Sequence, residues 1–216
     1  RRQRQMCIRD RFLYFIVGLF TVINQQFQVP LKSALLPHDG NMTNALVTLL
    51  NFSWFLAYPF SEGFATRWVD RLGYRKTSVY SLLIFIAGLG FYEAAVLLHI
   101  YAPSYITIMG NPIFTGFFVF LSGSFVIGMA VTILQVVTGL YLDVNPVGKT
   151  TPLQRQMIGG TTNSIGMAIG PLVVSYVIFY GIPLHNVQSR EFIWPVICLI
   201  AIICIFTLIT ARIKMP

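Results

Sequence analysis

Five side-chain amides punctuate long apolar runs: Asn24, Gln25, Gln28, Gln135 and Asn163. An amide both donates and accepts hydrogen bonds, which suits the hydroxyls of a neutral sugar. A polar side chain facing lipid is costly, so such groups turn toward a neighbouring helix or a water-filled path. All five fall on stripes of three- to four-residue spacing, the period of a single helix face. Thr21, Asn24, Gln25, Gln28 and Lys32 form the first stripe, and Asn51, Trp54, Tyr58 and Glu62 the second. Ser124, Gly128, Thr132, Gln135 and Gly139 form the third, and Gln156, Gly159, Gly160, Asn163, Gly166 and Gly170 the fourth. Two readings cover these stripes. In one, Asn24, Gln25, Gln28, Asn51, Trp54, Gln135 and Asn163 line a cavity and bind a solute, with Trp54 stacked on its apolar face. In the other they serve helix packing, since small and amide residues hold transmembrane helices together. Gly166-x-x-x-Gly170, followed by Pro171, fits the packing reading directly.

Two acids lie within the apolar runs, Glu62 and Glu93. Each is a candidate for ion coupling, by proton or sodium, and each also has a local reading as an ion-pair or interface residue. Catalytic chemistry lacks its parts. Gly123-Ser124 offers a hydroxyl, but no histidine lies in the core of an apolar run to act as its base. There is no HExxH and no ligand cluster for a metal, and Cys7, Cys198 and Cys204 form no CxxC pair. The chain therefore reads as no enzyme, with no cofactor and no metal.

The elements that must position these residues follow from composition. Hydrophobic residues make up 56% of the 216 and charged residues only 10%, where soluble domains carry about 25% charge. Runs of about 20 apolar residues span a bilayer as helices. The runs predict six spans, at about 12–36, 46–68, 77–99, 112–141, 157–180 and 192–213, behind a cytoplasmic tail at 1–11. The net charge of +8 does not indicate nucleic acid, because the basic residues cluster between spans. With the N-terminus inside, every Lys and Arg except Lys32 and Arg190 lies on the inner side, as the positive-inside rule requires. This predicts a multi-pass protein of the cytoplasmic (inner) membrane with both termini cytoplasmic. Spans 1, 2, 4 and 5 carry the polar stripes while 3 and 6 carry little. Such a distribution fits an all-α membrane fold built as a 3+3 inverted repeat with its site near the midplane.

After the second span the chain reads Asp70-Arg71-Leu72-Gly73-Tyr74-Arg75-Lys76. This resembles the D-R/K-x-G-x-R/K-R/K inner-loop signature of the major facilitator superfamily, with Thr66 where the fuller motif has glycine. The resemblance implies that Asp70, Arg71, Gly73 and Arg75 gate by clamping a neighbouring helix end. Thr132-Ile133-Leu134-Gln135-Val136, Asn163-Ser164-Ile165-Gly166 with Arg155 before it, and Thr21-Val22-Ile23-Asn24 ahead of Pro30 resemble the fucose and glucose/galactose symporter family. Gln25 replaces that family's helix 1 carboxylate, and Gln135 matches its glucose/galactose branch. The resemblance implies an N-terminal six-helix half, 1–216, of a twelve-helix transporter. Such a transporter moves a hexose-like or related polar solute by alternating access, partnered by the bilayer and by a C-terminal half missing from this chain. A drug or cation antiporter of the same superfamily is the alternative, because Gly166-x-x-x-Gly170-Pro171 resembles its helix 5 motif. A non-transporting membrane assembly subunit is a further one.

Overall fold

The computed structural model describes residues 2–35, 40–108, 110–144, 151–178 and 189–212. Five helices carry almost all of it. They are α1 (Arg2–Leu35), α2 (Gly40–Tyr101), α3 (Gly116–Val144), α4 (Pro152–Val173) and α5 (Ile193–Arg212). A hairpin of β1 (Tyr105–Ile108) and β2 (Asn111–Phe114) joins α2 to α3. Four stretches among the described residues are long and apolar enough to cross a membrane: Asn44–Tyr101, Gly116–Tyr141, Leu153–Tyr176 and Arg190–Arg212. The protein is therefore a multi-pass, all-α membrane protein.

The six expected spans appear as five helices, because 46–68 and 77–99 belong to the single element α2. Its apolar stretch of 58 residues would run about 87 Å as one straight helix, against a hydrocarbon core of about 30 Å. Gly73 resolves the mismatch. It adopts φ 77°, ψ 165°, a region essentially reserved for glycine, and divides α2 into a first arm (40–72) and a second arm (74–101). The rings of Trp68 and Tyr80 meet at 6.3 Å across this break. A straight helix would separate them along its axis by about 18 Å, so the arms fold back on each other.

Both arms pack on α3. In the first, the hydroxyl of Ser53 donates to the carbonyl of Leu121 at 3.0 Å. Ala65 and Val69 further along it cluster with Ile133 and Val137, so arm and helix run the same way. In the second, Ser81 donates to the Ala130 carbonyl, whereas Tyr92 lies against Gly123, so that arm runs opposite to α3. The α1 helix takes a different partner, α4, and the two lie parallel with Phe15 and Leu19 against Gly166 and Val22 against Gly170. The α5 helix buries Pro195, Val196, Leu199, Ile203, Thr207 and Thr210, a stripe at helical spacing, and exposes Trp194, Ile205 and Leu208. The span that carries few polar groups in sequence thus contributes one face to the core.

Three boundaries differ from expectation. The tail at 1–11 is continuous with α1, which begins at Arg2; its run of Arg, Gln and Met favours helix. Residues 112–114 were expected to open the fourth span but lie in β2. Pro112 cannot donate to a helical ladder, Gly110 supplies φ 81° at the turn, and Phe114 is buried against His99, 4.9 Å between ring centroids. The fifth span closes as a π-helix at Val174–Ile178, just after Pro171, whose ring disturbs the ladder.

Candidate functional site

The predicted site residues fall into two polar groups and a remainder. The first group is buried at the meeting of α1, the second arm and α3. Nε2 of Gln28 donates to the Tyr92 hydroxyl at 2.6 Å and to Ser124 Oγ at 3.3 Å. Tyr92 donates in turn to Asn24 Oδ1 at 3.3 Å, and Ser124 donates to the Leu50 carbonyl at 3.3 Å. Asn24, Gln28, Tyr92 and Ser124 are all buried. Helical spacing brings this about: Asn24 and Gln28 stand one turn apart on the face of α1 that carries Ile16, Phe20 and Ile23 into the core. The network fixes α1 to two other helices, and buried networks rigidify a core to the extent that their members are satisfied. One donor is left over, because Nδ2 of Asn24 is buried without a hydrogen-bond partner among the described residues.

The second group lines an open cleft of about 190 Å³ between α1, α3 and α4, walled by Tyr14, Val17, Gln135, Thr138, Gly160 and Asn163. Gln135 and Thr138 stand one turn apart on α3, as do Gly160 and Asn163 on α4, which turns both pairs toward α1. The side chain of Asn163 reaches the sulfur of Met167 at 3.8 Å through Nδ2. Its Oδ1 is buried and accepts no hydrogen bond from a described residue. Gly18 makes room for it: a Cβ there would sit 2.8 Å from that oxygen.

The remaining predicted residues lie elsewhere. Gln25 is exposed on α1, away from the buried network. Asn51 is exposed, and Trp54 is buried with its backbone against Gly128 rather than lining the cleft. Glu62 is exposed and Glu93 half-buried, with Oε2 of Glu93 buried and without a hydrogen-bond partner among the described residues. Asp70, Arg71 and Arg75 are exposed around the Gly73 break. The side chain of Lys32 lies outside the described residues.

Tyr92, Tyr14 and Thr138 were missed. Tyr92 sits in the span read as nearly free of polar groups, where its ring was counted as apolar. A tyrosine among small residues, with Gly88 and Gly90 before it, was the available signal, because a buried Tyr hydroxyl usually finds a partner. Among the described residues no group of His, Cys, Asp and Glu could hold a metal ion. Comparison with family models, with curated proteins and with solved structures finds no match.

Proposed function

We propose that this chain is the N-terminal six-helix half of a major facilitator superfamily secondary transporter for a hexose-like or related small polar solute, working by alternating access in a cytoplasmic membrane. The observation that carries the reading is the cleft with the amides of Gln135 on one wall and Asn163 on the other. Amides both donate and accept hydrogen bonds, so Gln135 and Asn163 on facing walls suit the hydroxyls of a polar solute. At about 190 Å³ the cleft is smaller than the roughly 300–1,000 Å³ of complete ligand pockets, which favours a site completed by a second half.

The helix pairing supports the repeat. Take α1 and the two arms of α2 as one triplet, and α3, α4 and α5 as the other. Exchanging the triplets carries α1 onto α3 and α4 onto the first arm, so the α1–α4 pair maps onto the pair made by α3 and the first arm. Both are close parallel pairs in the fold, and their directions are opposed under an alternating topology. Glu93, with its buried carboxylate oxygen, is a better coupling acid than exposed Glu62, and proton or sodium remains the candidate ion. The antiporter alternative rests on Gly166 and Gly170, which packing against α1 already accounts for.

The test is uptake of a panel of monosaccharides into vesicles holding the full-length protein. Gln135→Leu is expected to abolish uptake with the helical circular dichroism retained. Uptake that survives the substitution in folded protein defeats the cleft as the site. Glu93→Gln is expected to abolish gradient-driven accumulation and Glu62→Gln to leave it.

A further inference from the structure

A second cleft, of about 240 Å³, opens between the second arm of α2 and the end of α5, walled by Arg75, Lys76, Val79, Tyr80 and Ala211. Arg75 and Lys76 are exposed and neither forms an ion pair with a described residue. The other walls are a tyrosine ring and two small apolar side chains. Two uncompensated cations beside an apolar flank match a phosphate that carries a hydrocarbon substituent. The placement matches too. Arg75 comes two residues after the Gly73 break, and Ala211 is next to Arg212, the last residue of α5. Both apolar stretches end at this level, and Trp68 pairs with Tyr80 there, as aromatic residues do at a membrane–water boundary.

We propose that this cleft seats the phosphate of an anionic bilayer lipid, held by Arg75 and Lys76, with the first part of the lipid tail along Val79, Tyr80 and Ala211. Basic pockets between transmembrane helices bind such headgroups. The inference is independent of the transported solute and needs only that the protein spans a membrane.

The test is native mass spectrometry of the full-length protein in detergent, titrated with phosphatidylglycerol or with phosphatidylcholine. Wild type is expected to take its first phosphatidylglycerol more tightly than phosphatidylcholine. Arg75→Gln with Lys76→Gln is expected to weaken that binding by about 30-fold, because each cation near a surface contributes about 1 kcal/mol, and to leave phosphatidylcholine unchanged. The charge-preserving pair Arg75→Lys with Lys76→Arg is expected to bind close to wild type, which separates charge from folding. Equal affinity of wild type for the two lipids, or unchanged phosphatidylglycerol binding in the neutral pair, overturns the proposal. Displacement of the lipid by millimolar inorganic phosphate also overturns it, since the site would then serve a soluble anion. An equal loss from Arg190→Gln, far along the chain, would show a general charge effect and overturn it likewise.

Discussion

A single methyl group on α4 should have opposite effects six residues apart. At Gly160 a Cβ meets nothing within 4 Å, whereas at Gly166 it would lie 2.8 Å from Leu19 N and closer still to the carbonyl oxygen of Phe15. Both contacts at Gly166 are backbone of α1, which cannot rotate aside. Ordinary contacts begin near about 3.5 Å, so the Leu19 contact alone asks the helices to part by about 0.7 Å and the Phe15 contact by more, and a gap of about 0.5–1 Å already forfeits a quarter to a half of the dispersion well between facing atoms. Overpacking of this kind costs about 1–3 kcal/mol. Against it stands the gain from replacing glycine by alanine in a helix, about 0.8–1.0 kcal/mol at either site. Gly160→Ala is thus expected to be neutral to about 1 kcal/mol more stable, and Gly166→Ala up to about 2 kcal/mol less stable. Reversible unfolding in mixed detergent micelles measures both. Equal stabilities would refute the backbone contact between α1 and α4. Because Gly160 lines the cleft, the same Gly160→Ala protein is expected to lose uptake while keeping its stability.

Three further outcomes follow. Gln28→Leu removes the donor to Tyr92 and Ser124 and should cost about 1–2 kcal/mol; a double-mutant cycle with Tyr92→Phe should show a coupling near about 0.6 kcal/mol, and strict additivity would mean the bond contributes nothing. Gly73→Ala forces φ 77°, ψ 165° on a residue with a Cβ and should cost about 1–3 kcal/mol, read as a lower melting temperature; an unchanged melt would show that the two arms rejoin without the special backbone. Cysteine introduced at Asn41 or Asn186 should label from outside intact cells, and cysteine at Ser78 or Lys149 should not. The reverse pattern overturns the assigned orientation.

Apolar run length and the period of the polar stripes carried the membrane class, and the small residues carried the α1–α4 contact: Gly166 and Gly170 announced a close approach that the fold makes. Run length separated 46–68 from 77–99, and the break at Gly73 falls between them; it could not say that helix continues up to that glycine from both sides. The hairpin was hidden because Pro112, Ile113 and Phe114 read as the start of the fourth span, which left β1 without a visible partner strand. The polar stripes of α1, α3 and α4 named residues that matter, but a stripe specifies a face and not the neighbour it meets. Asn24 and Gln28 meet Tyr92 and Ser124 in a buried network, while Gln135 and Asn163 meet at an open cleft. Gln25 and Asn51 point away from both. A tyrosine contributes its ring to hydropathy and its hydroxyl only to a folded neighbour, which is why Tyr92 escaped notice.

The partnership of α1 with α4 also shapes how the protein is made. Its span, expected at 12–36, carries Asn24, Gln25, Gln28 and Lys32, polar groups that are costly to leave facing lipid. The partners of its buried amides, Tyr92 and Ser124, and of its tightest backbone contact, Gly166, all emerge from the ribosome later. At about 5–20 residues per second, α4 follows α1 by on the order of ten seconds. During that interval the amides of α1 lack the partners they find in the finished fold, a state that lipid alone stabilises poorly. Synthesis halted before α4 would leave α1 without the helix that holds it, so α1, made before α2 to α5, is secured only once α4 has followed.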